Sequence, residues 1–261
     1  MPLMPGAEPY FHDGGETGVL LCHGFTGTPR AMRPWGEYLA ARGLTVSVPL
    51  LPGHGTRWQD MRITGWQDWY AEVDRELLAL SDRCSRVFVA GLSMGGTLAL
   101  RLAEKHGTAI SGLVLVNPSV RADTPAIRAV PLIRHFVPSV AGIASDIAAE
   151  GGDEMGYDRT PLQAVHSLSK FWGIVRAALP QVTQPLLLLR SRVDHVVDPA
   201  NSAVVLSRVS STDVTERVLE RSYHVATLDH DAPQIFAESY DFVQRLSASA
   251  GTKVQGGTAG G

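Results

Sequence analysis

Short apolar runs alternate along the chain with longer stretches in which apolar residues recur at helical spacing. The runs predict strands at 19–22, 44–48, 87–90, 113–116, 186–189 and 214–219. Four of the six are apolar throughout, which is typical of strands buried on both faces of a parallel sheet. Between them, positions such as Trp66, Trp69, Val73 and Leu77 share one helix face. This alternation predicts an α/β fold with a mostly parallel, doubly wound sheet.

One region interrupts the alternation. Between residues 120 and 158 no strand is evident, and Pro125, Pro131 and Pro138 divide a largely apolar stretch. Because long irregular insertions in compact domains are usually functional, we expect a cap of short helices over the ligand site. The cap would be inserted into a single domain of residues 1–248. The Gly-rich, polar residues 249–261 are expected to form a disordered tail.

Composition excludes several classes of protein. Apolar residues make up 44% and charged residues 19%, which is enough to build a sizeable core. The net charge of −3, without a basic stripe, argues against a nucleic-acid partner. Two cysteines, Cys22 and Cys84, favour free thiols in a reducing compartment over a disulfide framework. With neither a signal-peptide pattern nor a membrane-length apolar run, we expect a cytoplasmic protein.

Residues that directly follow the strands are the first candidates for chemistry, because ligands of such sheets bind at the carboxyl ends of the strands. Residues 91–95, Gly-Leu-Ser-Met-Gly, follow one predicted strand and precede a helical run. This is the context of the nucleophile elbow, in which glycines allow a tight strand-to-helix turn around the serine. Ser93 is therefore the predicted nucleophile. The alternative is a glycine-rich turn with an incidental serine.

A serine hydroxyl needs an adjacent base, and His224 is the best placed of the nine histidines. It follows the last predicted strand, whereas His106 and His166 belong to predicted helices and His230 precedes one. The chain order expected for an α/β-hydrolase fold is serine, acid, histidine. His224 is accordingly the predicted general base.

The acid should follow the preceding strand, and Asp194 does so. Asp198 is the alternative, but Pro199 after it indicates a helix N-cap instead. Asp194 is expected to hold one tautomer of the histidine and to stabilise its protonated form. The oxyanion of the transition state requires two donors, and we assign the backbone N–H groups of Phe25 and Met94.

Other chemistries find no pattern in the sequence. There is no His-Glu-x-x-His and no paired Cys-x-x-Cys, so no metal site is expected. Glycine spacings for dinucleotide or ATP binding are absent, so no cofactor is expected.

Five segments together resemble the bacterial monoacylglycerol lipases and the related small bacterial carboxylesterases. They are residues 23–27, 51–55, 91–96, 194–197 and 222–229, within a likeness that runs from about Gly15 to Leu246. The resemblance implies hydrolysis of monoacylglycerols to glycerol and a fatty acid, with a small cap over an acyl pocket. It also implies Ser93, Asp194 and His224 as the triad and the Phe25 and Met94 amides as the oxyanion hole.

Substrate contacts are expected from the cap. Glu154 is the candidate for binding the glycerol hydroxyls, the alternative being a solvated loop acid, and Ile143 is the candidate for acyl contact. A lipid ester is the expected small-molecule partner, and the cap is expected to touch lipid surfaces transiently. Two other functions stay open: a short-chain carboxylesterase without glycerol preference, and a ligand receptor that turns over slowly.

Overall fold

The computed structural model of the protein describes residues 2–122, 124–142 and 145–251. The strands are β1 (Tyr10–His12), β2 (Thr17–Cys22), β3 (Thr45–Val48), β4 (Arg86–Leu92), β5 (Gly112–Val116), β6 (Ser139–Ala141), β7 (Arg159–Pro161), β8 (Leu186–Ser191) and β9 (Val214–Leu219). The α-helices are α1 (Arg33–Ala40), α2 (Trp58–Arg62), α3 (Trp66–Ser81), α4 (Met94–His106), α5 (Pro125–Ile133), α6 (Leu162–Ala178), α7 (Ala200–Arg208) and α8 (Ala232–Gly251).

Seven strands form one sheet in the order β1-β3-β2-β4-β5-β8-β9. All neighbours are parallel except β1, which runs antiparallel to β3 at the edge. The six predicted strands are therefore confirmed, as is the doubly wound α/β architecture. Strand β1 was not predicted, because it has three residues and its central Phe11 is half exposed, so it leaves no apolar run.

Each face of the main sheet is covered by helices. On one face, α1 and α8 pack with Trp35 and Phe236 against side chains such as Leu21 and Phe88. On the other face, residues of α3, α4 and α6 pack against the alternate strand positions, represented by Leu20 and Val89. Both faces of the inner strands are thus buried, which explains their continuous apolar sequence.

The insertion between β5 and α6 differs from the expected set of short helices. Its described residues contain one α-helix, α5, whose first turn is capped by the Thr124 hydroxyl accepting from the Ile127 N–H. After the helix, β6 pairs antiparallel with β7. The expectation of helices alone was wrong because the partner of β6 lies at residues 159–161, beyond the insertion boundary, and strand pairing leaves no local signal.

Helix α8 runs to Gly251, past the expected end of the domain at residue 248. Residues 252–261 lie outside the described residues, so the disordered tail stays a prediction. Across the described ranges, no helix is both long and apolar enough to cross a membrane. Cys22 and Cys84 are free and buried.

Candidate active site

Five neighbouring strands bring the candidate residues to one edge of the sheet. Strands β2, β4, β5, β8 and β9 are consecutive and parallel, so their carboxyl ends meet. The loop at residues 23–27 follows β2, Ser93 follows β4, Asp194 follows β8 and His224 follows β9. Residues as far apart in the sequence as His23 and His224 are therefore placed in one region by the order of the strands.

Ser93 occupies a strained turn between β4 and α4. Its φ of 56° and ψ of −117° lie in a region that non-glycine residues seldom adopt. The turn closes because its neighbours lack side chains: a Cβ at Gly91 would overlap the backbone of Gly95, and one at Gly95 would overlap the carbonyl oxygen of Cys22. The sequence expectation for these glycines is confirmed.

His224 and Asp194 form a buried pair. The Nδ1 atom of His224 lies 2.8 Å from Asp194 Oδ2, and the two side chains are 9% and 4% exposed. The other carboxylate oxygen, Oδ1, accepts from the N–H groups of Val196 and Val197 at 2.8 and 2.7 Å. Three hydrogen bonds thus hold the Asp194 carboxyl in place, and the one to Nδ1 orients the imidazole.

The alternative acid has the helix-capping contact that the sequence indicated. Asp198 Oδ1 accepts from the N–H of Ala200, the first residue of α7, at 2.7 Å. His106 ends α4, His166 lies within α6, and His230 is exposed. None of these residues approaches the Ser93 cavity described below.

Asn117, which the sequence analysis did not single out, holds the backbone behind His224. It follows β5, and its amide nitrogen donates to the His224 carbonyl at 2.8 Å and to Ser191 Oγ at 3.0 Å. Its amide oxygen accepts from the Ser191 N–H at 2.7 Å. The φ of 44° is a left-handed conformation that asparagine tolerates well. A polar residue directly after a buried strand was the available signal.

The loop after β2 is held by His23, whose ring packs edge-on against His54. Burial lowers the pKa of His23 to about 4 and that of His54 to about 3. The Nδ1 atom of His23 donates to the Gly24 carbonyl at 2.9 Å, and its Nε2 atom accepts from the Leu51 N–H at 3.2 Å. The neutral ring can make both bonds because one nitrogen carries a proton and the other does not. The histidine thus fixes the path of the loop beside Ser93.

The two proposed oxyanion donors come from separate elements. Met94 is the first residue of α4, so its N–H has no carbonyl partner within the helix. Phe25 lines the same cavity as Ser93, and its ring packs edge-on against Trp69 with centroids 5.8 Å apart. A Cβ added at Gly24 would lie 3.6 Å from Ser93 Cβ, so this loop borders the serine directly.

A cavity of about 450 Å³ opens next to Ser93 and His224, and both residues line it. Among the described residues no hydrogen bond joins the serine hydroxyl to the imidazole, and such bonds commonly tighten only when substrate binds. The remaining wall is mostly apolar and comes from the cap and from α6, with Ile127, Val130, Val140, Val165, Leu168 and Trp172. This is a size and lining suited to an acyl chain.

Glu154 and Asp146 are the two cap residues with carboxylates that line this cavity, and Glu154 is the one predicted to bind substrate. A Cβ added at Gly27 would lie 3.3 Å from its Oε2 atom, so the carboxylate borders the loop after β2. Burial raises the pKa of the Glu154 carboxyl, against the opposing attraction of His224. Within the described part of the chain, no side chain or backbone group donates a hydrogen bond to either carboxylate oxygen. Ile143 lies outside the described residues, so its expected acyl contact stays a prediction.

Similarity to known proteins agrees with this arrangement. The protein family described as serine aminopeptidase, S33, matches residues 16–231. The chain belongs to this family. It is 43% identical over 242 residues to a thermostable monoacylglycerol lipase of Bacillus sp. (strain H-257), covering 92% of this chain and 96% of that protein. It is 27% identical to a carboxylesterase of Bacillus subtilis (strain 168), covering 92% of this chain and 97% of that one.

Solved structures show the same fold. A structure described for LipS and LipT, two metagenome-derived lipolytic enzymes, matches with a TM-score of 0.91 and 38% identity, covering 94% of this chain and all of that one. The monoacylglycerol lipase of Paleococcus ferrophilus matches with a TM-score of 0.77 and 18% identity over 94% of this chain, a likeness of fold alone. The resemblance found from sequence motifs and the α/β-hydrolase fold are both confirmed.

Within the described ranges, no group of three or more His, Cys, Asp or Glu side chains could hold a metal ion.

Proposed function

We propose that this family member is a serine ester hydrolase that cleaves monoacylglycerols to glycerol and a free fatty acid through an acyl-enzyme intermediate. The observation that carries the proposal is the cavity beside Ser93 and His224: its wall is apolar apart from a few groups, one of which is the Glu154 carboxylate. An acyl chain needs the apolar wall, and glycerol hydroxyls need the polar group. The similarity to the Bacillus monoacylglycerol lipase supports the same substrate class.

In the proposed reaction, Ser93 Oγ attacks the ester carbonyl carbon while His224 Nε2 accepts the hydroxyl proton. The histidine then gives this proton to the departing glycerol oxygen, which leaves an acyl group on the serine. Water repeats the sequence and releases the fatty acid. Asp194, bonded to Nδ1 at 2.8 Å, keeps the free lone pair on Nε2 and stabilises the imidazolium formed in each transition state.

The carbonyl oxygen becomes negatively charged as the tetrahedral intermediate forms. We assign its two donors to the backbone N–H groups of Phe25 and Met94, which flank the serine from the β2 loop and from the start of α4. The helix N-terminus adds a partial positive charge at the same place. Donors fixed in the backbone need no reorganisation during the reaction, which is why they are effective.

Glu154 is the residue assigned to the glycerol head group. Its oxygens have spare acceptor capacity in the cavity, and two hydroxyls of glycerol can donate to them. A second acyl chain in place of a hydroxyl would bury the carboxylate against an apolar group and leave it without a partner. Diacylglycerols and triacylglycerols should therefore be poor substrates.

The competing function is a short-chain carboxylesterase without glycerol preference, which the similarity to the Bacillus subtilis carboxylesterase favours. The two functions differ in whether the head-group carboxylate affects selectivity. An esterase of that kind should hydrolyse glycerol and methyl esters of one fatty acid alike, whether or not Glu154 is present. Both functions use the same proposed triad.

Initial rates on monooleoylglycerol, dioleoylglycerol, trioleoylglycerol and methyl oleate, presented in one detergent, decide between these functions. We expect the monoacylglycerol to be cleaved fastest, and Glu154→Ala to lose most of the preference for monooleoylglycerol over methyl oleate. Glu150→Ala, which changes an exposed acid of the same insertion, is the matched control. Triacylglycerol cleaved as fast as monoacylglycerol, or unchanged selectivity in Glu154→Ala, would refute the head-group assignment.

We also propose that the cap makes transient contact with lipid surfaces. Leu132 and Phe136 of the insertion are 71% and 81% exposed. Large exposed apolar side chains can mark interaction surfaces when they cluster. The cytoplasmic location stays a prediction.

A further inference from the structure

Asp146 belongs to the cap insertion, yet the loops that carry Asp194 and His224 both donate to its carboxylate. Its Oδ2 atom accepts from the backbone N–H groups of His195 and His224, each at 3.1 Å. Its Oδ1 atom lies 2.8 Å from His195 Nδ1. The backbone carbonyl of Asp146 accepts from the Val225 N–H at 3.0 Å. Asp146 therefore links His195, which is next to the proposed acid, to the backbone of the proposed base His224.

A second carboxylate also joins the cap to the loop that carries His224. Asp229, in the loop after His224, accepts from the N–H groups of Ala148 and Ala149 at 2.7 and 3.0 Å. It also accepts from the Tyr223 N–H at 2.8 Å. The cap segment and the histidine loop are thus bonded reciprocally. Since the Asp146 side chain is only 13% exposed, its bonds form where water competes weakly.

Charge adds to this geometry. Asp194 pairs with the His224 imidazole, Asp146 and Glu154 of the cap line the same cavity as His224, and His195 pairs with Asp146. An imidazolium forms whenever the histidine takes a proton from serine or water. A carboxylate that is hydrogen-bonded to the backbone N–H of the same residue stabilises that cation by charge attraction.

The geometry points to Asp146 as a positioning residue that fixes the backbone of His224 relative to Asp194 and so makes turnover at Ser93 depend on the cap. The inference rests on the ester hydrolysis proposed above. Asp146 also lines the cavity beside Ser93, but its hydrogen bonds are to the loops of His195 and His224, so we place its effect through His224. The cap then has two separate roles: it supplies the wall of the acyl cavity, and it completes the support of the base.

The test uses p-nitrophenyl acetate, whose acetyl group is too short to depend on the apolar wall of the cap. Asp146→Asn should lower kcat about ten-fold, as expected when a charge-assisted pair of hydrogen bonds is weakened, with KM changed by less than about two-fold. The acid limb of the kcat/KM profile should move to lower pH, because one negative charge beside the imidazolium is gone. A merely structural role would not move this limb.

Glu150→Gln is the matched control, because it removes a charge from the same insertion at an exposed position. It should keep the wild-type kcat and pH profile. Rates are expressed per active site, counted by complete labelling of Ser93 with a fluorophosphonate, so misfolded protein lowers the count and leaves the rate per site unaffected. If Asp146→Asn yields too few sites, Asp146→Glu keeps the charge and displaces it, and should lower kcat while the acid limb stays at the wild-type pH.

An Asp146→Asn enzyme with wild-type kcat and an unmoved acid limb would overturn the positioning role, as would an effect confined to KM. If only Asp146→Glu can be assayed, wild-type kcat in that variant has the same meaning. A wild-type protein that neither hydrolyses esters nor reacts at Ser93 would refute the proposed function itself. The two failures are therefore distinguishable.

Discussion

The substitution Asp194→Asn changes the hydrogen-bonding chemistry of the side chain with almost no change in its shape. Asp194 Oδ1 accepts from two backbone N–H groups, those of Val196 and Val197, while Oδ2 faces His224 Nδ1 at 2.8 Å. An amide nitrogen cannot accept from N–H groups, so the asparagine must keep its oxygen on the loop and turn its NH₂ toward the histidine. The Nδ1 atom must then accept, and the proton moves to Nε2, the atom proposed to accept the Ser93 proton.

The expected loss follows from this wrong tautomer. In Ser-His-Asp triads the aspartate-to-asparagine change lowers kcat by roughly 10⁴-fold. At about 1.36 kcal/mol per factor of ten, this corresponds to about 5 kcal/mol of transition-state stabilisation. Asp194 and His224 are 4% and 9% exposed, so water cannot replace the lost acceptor. We expect kcat to fall by about 10³- to 10⁴-fold with KM little changed.

The assay is steady-state hydrolysis of p-nitrophenyl butyrate, with Asp198→Asn as the matched control. Asp198 caps α7 by accepting from the Ala200 N–H, and asparagine caps helices about as well as aspartate. Asp198→Asn should therefore keep activity within about two-fold of wild type. The reasoning is refuted if Asp194→Asn retains more than about a tenth of wild-type turnover, or if Asp198→Asn is the more damaging change.

Two further predictions concern stability. Gly95→Ala should show no cooperative unfolding transition in circular dichroism, because its Cβ would overlap the Cys22 carbonyl. The control Gly173→Ala has open space in α6 and should raise the free energy of unfolding by up to about 1 kcal/mol. A folded Gly95→Ala protein would contradict the elbow geometry. Burial raises the pKa of Glu104 from 4.5 to about 7 despite the attraction of Arg101, so the folded state holds this proton more tightly than the unfolded chain. The resulting stability is complete below pH 4.5 and is lost as the pH rises through about 7. In denaturant titrations, the free energy of unfolding of the wild type should fall by an amount on the order of 2 kcal/mol between pH 5 and pH 8, and Glu104→Gln should not show this fall. If the variant shows the same pH dependence as the wild type, Glu104 is not its source.

Those parts of the fold and of the candidate site that depend on local pattern could be predicted from sequence. The inner strands are apolar because both of their faces are covered, and Ser93 lies between glycines because the turn has no space for side chains. Asp194 and His224 follow strands directly, so the strand-end rule locates them. Their pairing agrees with the prediction, although their catalytic roles stay proposals.

Other features depend on contacts between distant segments and leave no such pattern. Asp146 bonds to a backbone N–H 78 positions away, and Asn117 to a carbonyl 107 positions away. Hydrogen bonds to the backbone place no demand on the residue type of the partner, so the partner sequence carries no signal. The pairing of β6 with β7 was missed for the same reason, since each strand has three residues and gains its structure from the other.

Fatty-acid release from monooleoylglycerol by wild-type protein and by Ser93→Ala, measured per mole of protein of equal melting temperature, tests the central proposal most directly. We expect sustained release by the wild type and a loss of roughly a million-fold in the variant, as for nucleophile removal in other serine hydrolases. Release by Ser93→Ala at a rate near that of the wild type, or a wild-type protein without activity on this ester, would contradict it.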